Sequence, residues 1–383
     1  MIGLFFLSTI FSLIVISSKF WFAHPYTELK ALVEQSNISK LILDILLGFL
    51  LFAGSLHMNW FQIQKQLKQI AIFAVGGVFL STIIIAGMFY GLSIILNLNI
   101  DFIYCLLFGA LISPTDPIAV LGILTKANIP KKLETIIIGE SLFNDGVGVV
   151  MFIVLLEVLN SGGGRLDFSH FGILFIQEAA GGMIFGLGLG FVLHYLLKSI
   201  NHYETEVLLT VAFVMLGYTL SLAFHLSGAL AMVIMGLFVG NYNQELAMSD
   251  ITKEYVTKFW ELIDVILNAI LFILIALVLV VIDFKSQFII IGMIIVLIVL
   301  ISRIIVVYLP KILLPGILDF TNKEAKLIVW GGLHGGLSIA LVLSLPDSEA
   351  KHLLLVSTYF CVLFSILVKG LTIGKLAKSV SQK

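Results

Sequence analysis

Long apolar runs alternate with short polar breaks from one end of the chain to the other. Windows of about 20 apolar residues, the length that crosses a bilayer as a helix, fall at 2–22, 40–57, 70–96, 102–124, 135–159, 171–197, 205–224, 228–242, 259–282, 286–313, 326–345 and 352–374. This pattern predicts an all-α polytopic membrane protein of about 12 transmembrane helices. The loops between the runs are short, and none reads as a soluble domain or a low-complexity linker. Residues 1–383 are therefore expected to form a single transmembrane domain.

Composition agrees. Hydrophobic residues make up 60% of the chain, charged residues 12%, and the mean hydropathy is +1.13, which excludes an ordinary soluble globular protein. The first run has neither a basic n-region nor an A-x-A cleavage site, so a span is expected there, not a signal peptide. Cys105 and Cys361 both sit in apolar runs and are expected as small buried residues, not as a disulfide. With no zinc-ligand spacing, phosphate loop, dinucleotide fingerprint or nucleic-acid signature in the chain, no cofactor and no nucleic-acid partner are expected.

Charge sets the orientation. Of the 22 lysines and arginines, fifteen fall in loops on one side of the membrane, Lys369 among them, and six on the other. The positive-inside rule then puts both termini in the cytoplasm of a multi-pass inner-membrane protein. The remaining one, Arg303, lies inside the tenth run.

Chemistry concentrates in the fourth run, at Ser113-Pro114-Thr115-Asp116-Pro117. Pro114 leaves the carbonyl of Ala110 without its usual donor, and Pro117 does the same to Ser113. A helix broken at membrane depth must line protein or a wet cavity. Freed carbonyls, a hydroxyl (Thr115) and a carboxylate (Asp116) are oxygen ligands suited to a hard cation. An intramembrane acid costs roughly 3 kcal/mol on insertion scales and is a functional candidate for that reason. A second break is expected in the eleventh run, at Gly331-Gly332-Leu333-His334-Gly335-Gly336. The odd offset of seven runs makes the two interrupted segments cross in opposite senses, the pattern of inverted-repeat transporters. Runs three to five and ten to twelve would be the repeats.

The fifth run contains Glu140-Ser141-Leu142-Phe143-Asn144-Asp145-Gly146. Residues four apart share a helix face, so Ser141 lines up with Asp145 and Glu140 with Asn144, about 100° away. Glu140 needs a cation, and a buried ion pair with Arg303 is expected to supply it. Among the other polar residues, Asp44, His57, Glu157 and Glu178 are expected to be interfacial or satisfied by packing. Glu261 and Asp264 are candidates for an acidic funnel or for a solvated helix end, and Asn268 for a cavity wall.

Gly109 to Pro117 followed by Gly139 to Gly146 resembles the monovalent cation:proton antiporter family, and the Asn144–Asp145 pair resembles its NhaP and sodium/proton exchanger branch. The resemblance implies an NhaA-like fold with two crossed discontinuous helices. It places a core mainly at 70–160 and 286–374 and a dimerisation subdomain in the remaining helices of a homodimer. It further implies that Asp145 carries cation and proton in turn, with Thr115, Ser141 and Asn144 assisting. Asp116 would offset the helix ends at the crossing, and Glu140 and Arg303 match the family's salt-bridging pair. Two departures stand out. His334 occupies a position where the family usually has arginine, so it is either a pH-modulating group or a hydrogen-bonded packing histidine. The branch also commonly has thirteen spans, and this chain is expected to begin at the second.

The expected activity is exchange of Na+ or Li+ for H+. A bare buried carboxylate is costly, so Asp145 would hold either a proton or a cation. With Asn144 beside it in place of a second acid, exchange would be electroneutral if Glu140 stays paired. A K+/H+ antiporter of the same fold is the alternative within the class. Outside it stand a passive cation channel and an intramembrane aspartyl protease, the latter lacking a G-x-G-D motif. In each transport reading the partners are monovalent cations, protons and the lipid bilayer.

Overall fold

The computed structural model describes residues 2–19, 23–116, 124, 127, 129–161, 168–241, 250–282 and 285–381, and every regular element among them is helical. In chain order these are α1 (Ile2–Ser18), α2 (Ala23–Gln35), α3 (Ile38–Leu56), α4 (Trp60–Ile95), α5 (Phe102–Ile112), α6 (Lys131–Asn160), α7 (Phe168–Ser199), α8 (Tyr203–Ala223), α9 (Gly228–Asn241), α10 (Asp250–Val281), α11 (Ser286–Leu313), α12 (Asn322–Gly331), α13 (Gly336–Leu343) and α14 (Glu349–Ser381). Eight are long and apolar enough to cross a bilayer, and α12 with α13 form a ninth span bent by 44°. Three shorter apolar helices, α1, α5 and α9, also occur among the described residues. Pro117 and the rest of the fourth run up to residue 123 lie outside the described residues.

Element boundaries follow local chemistry. Asn59 caps α4 by accepting from the Gln62 amide at 3.1 Å. Thr321 and Glu324 form a reciprocal capping box at the start of α12, which satisfies two otherwise orphaned donors. Ser348 caps α14 through the Lys351 amide at 3.1 Å. Helix α5 ends where Pro114 forbids its continuation: Ser113 still donates to Gly109 at 3.1 Å, and residues 114–116 run on without helical bonds. Two features differ from the sequence reading. Helix α2 occupies a stretch too polar to register as a span, since periodic burial on one side needs few apolar residues. Lys369, counted with the loops of the lysine-rich side above although it lies inside the last apolar run, is 1% exposed within α14.

The surface is that of a protein in lipid. Ile95, Ile184, Ile312 and Leu371 are largely exposed, an arrangement a soluble protein avoids. Because lipid tails compete for apolar contact, helices associate through close backbone approach at small residues. Gly182, Gly186 and Gly190 recur every fourth residue on one buried face of α7 and lie directly on α9, against Ser227, Ala231 and Phe238. Gly236 and Gly240 repeat the device between α9 and α3, at Phe52, Ser55 and Leu56. Gly148 of α6 lies against the Pro114 ring, which seats the broken end of α5 on the helix that carries Asp145.

Gly186→Leu is expected to overpack the α7–α9 seam, because the obstacle is the Ala231 backbone, and to destabilise the protein by about 1–3 kcal/mol. Gly188→Leu, with open space at the same depth, serves as control. Thermal melting of the two variants in detergent checks this: only the first should melt earlier than the wild type.

Candidate functional site

The two breaks meet backbone to backbone. Leaving α5, the chain turns at Ser113 and brings the Asp116 amide to the Leu333 carbonyl of the α12–α13 break at 2.8 Å. The Nδ1 atom of His334 lies 3.3 Å from the Pro114 carbonyl, so each break satisfies a polar group of the other. Gly335 faces the Asp116 carboxylate so closely that a side chain at 335 would collide with it. Asp116 thereby sits at the N-terminal, positive end of α13. Ser113 is tied back by hydrogen bonds at 2.5 Å to the Gly109 carbonyl and from the Ser81 hydroxyl.

Helix α6 supplies the facing side chains on two sides of this crossing. On the first, Asn144 and Thr115 grip each other: the Thr115 amide donates to Asn144 Oδ1 at 3.3 Å, and Asn144 Nδ2 donates to Thr115 Oγ1 at 3.0 Å. Ser141 Oγ stands 3.4 Å from the same Thr115 hydroxyl. All three residues are buried. One turn earlier, Glu140 accepts from Arg303 at 2.5 Å, with Glu140 2% and Arg303 12% exposed. Arg303 also donates to the Ile328 carbonyl at 3.2 Å, which joins α6 and α11 to the end of α12.

On the second side, Asp145 is half-buried in the wall of a cavity of about 290 Å³. Pro114, Asp116, Leu142, Gly335 and Ser338 share that wall. Across it stand Asp264 and Asn268 of α10, linked by a 3.0 Å hydrogen bond from Asn268 Nδ2. The rim carries His57, at the end of α3, and Glu134, in the first turn of α6. Lys65 and Lys68 lie near the start of α4, just after His57, and Lys131 and Lys132 just before Glu134, so the cavity extends toward the lysine-rich side.

The structure thus brings Thr115, Ser141 and Asn144 together, pairs Glu140 with Arg303, and sets Asp145 and Asp116 side by side along one cavity. No hydrogen bond joins Asp145 to Thr115 or Ser141 among the described residues. Asp264 lies in the cavity wall, whereas Glu261 is exposed outside it. His57, read from sequence as interfacial or packed, is exposed at the end of α3 and also lines the cavity. The sequence reading missed the buried Lys369, whose ammonium donates to the Gly332 carbonyl. The available signal was its place inside the last apolar run.

The family profile described as "Sodium/hydrogen exchanger, transmembrane" matches residues 1–379. The Na(+)/H(+) antiporter NhaP of Pseudomonas aeruginosa is 43% identical over 385 residues, covering 99% of this chain and 90% of that protein. The Na(+)/H(+) antiporter NhaH of Halobacillus dabanensis is 36% identical over 353 residues, covering 91% and 84%. The solved structure of the sodium proton antiporter MjNhaP1 from Methanocaldococcus jannaschii shares the fold with a TM-score of 0.75 at 20% identity, covering 100% of this chain and 99% of that one.

Breaking the buried pair by Glu140→Gln alone is expected to cost about 3–5 kcal/mol, because it leaves Arg303 uncompensated. Pairing it with Arg303→Met should recover most of that loss. Melting temperatures of the single and double variants in detergent decide; a double variant no more stable than the single would contradict the coupling.

Proposed function

Since the chain belongs to the sodium/hydrogen exchanger family and is a multi-pass membrane antiporter of Na+ against H+, we propose that Asp145 is the group both ions share. The observation that carries this reading is the position of Asp145: half-buried, in the wall of a cavity that reaches the lysine-rich side, beside the crossing of the two breaks. A carboxylate so placed is disfavoured when bare and relieved by either a proton or a cation. Occupancy by one excludes the other, and that competition is sufficient for exchange.

The neighbours have separate tasks. Asp116 offsets the positive end of α13 and adds negative potential to the cavity. Thr115, Ser141 and Asn144 form a polar knot that holds the interrupted chain against α6. Asn144 directly precedes Asp145 on α6, Ser141 lies one turn before it and Thr115 is bonded to both, so their oxygens complete a cation shell when the crossing shifts. Glu140 and Arg303 act as a structural tie between the two repeats, with neither free to carry a proton. The hydrogen bond of His334 to Pro114 supports a packing task for that ring. Asp145 is then the one acid of its pair, and exchange is electroneutral. Names of relatives such as NhaP and NhaH favour sodium over the potassium alternative.

The lysine-rich side of the inner-membrane protein is taken as cytoplasmic, so this conformation is open inward, with both termini in the cytoplasm. A core of about 70–160 and 286–374 rocks against the remaining helices, which also provide the contact of a homodimer.

Asp145→Asn is expected to reduce exchange to background while the protein stays in the membrane and melts like the wild type. Dequenching of a pH-sensitive dye in everted vesicles on adding Na+, Li+ or K+ in turn measures this, and retained exchange would overturn the assignment. In proteoliposomes, turnover is expected to generate no current. A sustained Na+-dependent current would contradict the electroneutral stoichiometry.

A further inference from the structure

The α12–α13 break has two poles, and each is met by charge. Helix α12 ends at Gly331, and the last carbonyls of a helix carry the negative end of its dipole without partners of their own. Arg303 donates at 3.2 Å to the Ile328 carbonyl, which also accepts the Gly332 amide at 3.3 Å, and Lys369 takes the Gly332 carbonyl. Asp116 meets the positive end of α13 at Gly335. Between the poles, Leu333 offers its carbonyl to the Asp116 amide. Lys369 therefore holds the first residue of a four-residue connection whose second and fourth residues touch Asp116.

Nothing in the established roles uses Lys369, yet its placement is costly. It comes from α14, at the end of a π-helical turn, Ser365–Lys369. Such a turn inserts one residue and redirects the side chains that follow, and it recurs at functional sites. The residue is 1% exposed, and its ammonium lies 6.0 Å from the centre of the Trp330 ring. Trp330 is itself fixed by donating to Thr372 at 2.8 Å. The charged and titratable groups facing it are Arg303 of α11, Glu140 of α6, His334 in the break and Cys361 of α14. Glu140 is already engaged by Arg303, so Lys369 has a carbonyl, not a carboxylate, as its direct partner. A buried ammonium without a direct counter-ion is not retained for stability alone.

We infer that Lys369 is a positioning residue for exchange: its ammonium pins the Gly332 carbonyl and supplies, from the last helix, the cation that the break lacks at His334. By fixing residues 332–335 it fixes the Leu333 carbonyl and Gly335, and through them the height of Asp116 in the cavity beside Asp145. The inference rests on the exchange reading above and concerns a residue outside the ion-carrying set.

The test uses the full-length protein in everted vesicles, with initial dequenching rates recorded over a range of Na+ concentrations. Lys369→Met keeps the length and removes the charge. It is expected to lower the maximal rate by roughly tenfold or more with little change in the half-saturating Na+ concentration. Lys369→Arg should stay within about twofold of the wild type, since it retains charge and donors. The double variant His334→Arg with Lys369→Met should recover most of the rate, because a permanent cation returns to the same break. A Lys369→Met protein that inserts, melts normally and exchanges like the wild type would overturn the inference. So would a Lys369→Arg protein as slow as Lys369→Met together with a double variant that recovers nothing, which would assign the residue to packing. Should Lys369→Met fail to insert, the same two companions decide, by whether restoring a cation restores both insertion and exchange. Wild-type dequenching in the same vesicles separates a failure of the exchange reading from a failure of this one.

Discussion

A polypeptide interrupted in the middle of a membrane must find partners for its freed amides and carbonyls without water, and here two interruptions answer one another. The Asp116 amide reaches the Leu333 carbonyl, and the His334 ring reaches the Pro114 carbonyl. Remaining helix ends are met by charge: Asp116 at the start of α13, Arg303 and Lys369 at the end of α12. Each partner comes from a different helix. The crossing is thus satisfied only when α5, α6, α11, α12, α13 and α14 are all in place, and the polar chemistry of the protein follows from it.

That arrangement divides α6 into two functional faces. Glu140, Ser141 and Asn144 bind the broken chain and its supports, with distances that leave these side chains mutually engaged. Asp145 is one residue past Asn144, a rotation of about 100°, and shares the side of Ser141, where it borders the cavity. A single helix can thereby fasten the crossing and present an acid to water. The adjacency of asparagine and aspartate has this geometrical meaning: the amide belongs to the protein's internal bonding, and the carboxylate faces the cavity.

The scaffold around the crossing is held differently. Seams α7–α9 and α9–α3 are lined by glycine at every fourth residue and contain little charge. Such contacts rely on shape, whereas the crossing is held by directional bonds.

The sequence by itself determined the membrane class, the two breaks and the Glu140–Arg303 partnership of charges. These rest on local or near-exclusive chemistry: proline cannot continue a helix, twenty apolar residues have one comfortable environment, and a lone intramembrane arginine needs a buried acid. Tertiary structure alone decided which oxygens gather. Helical periodicity put Ser141 with Asp145, but the path of the chain after Pro114 brought Thr115 to Asn144 and Ser141 and left Asp145 to the cavity. It also drew Asp264, Asn268 and His57 into the wall from helices distant in sequence, and turned Lys369 from an apparent loop charge into a buried one. A side chain's face on its own helix is written in the chain; what stands opposite depends on how helices far apart in sequence pack, which no local pattern encodes.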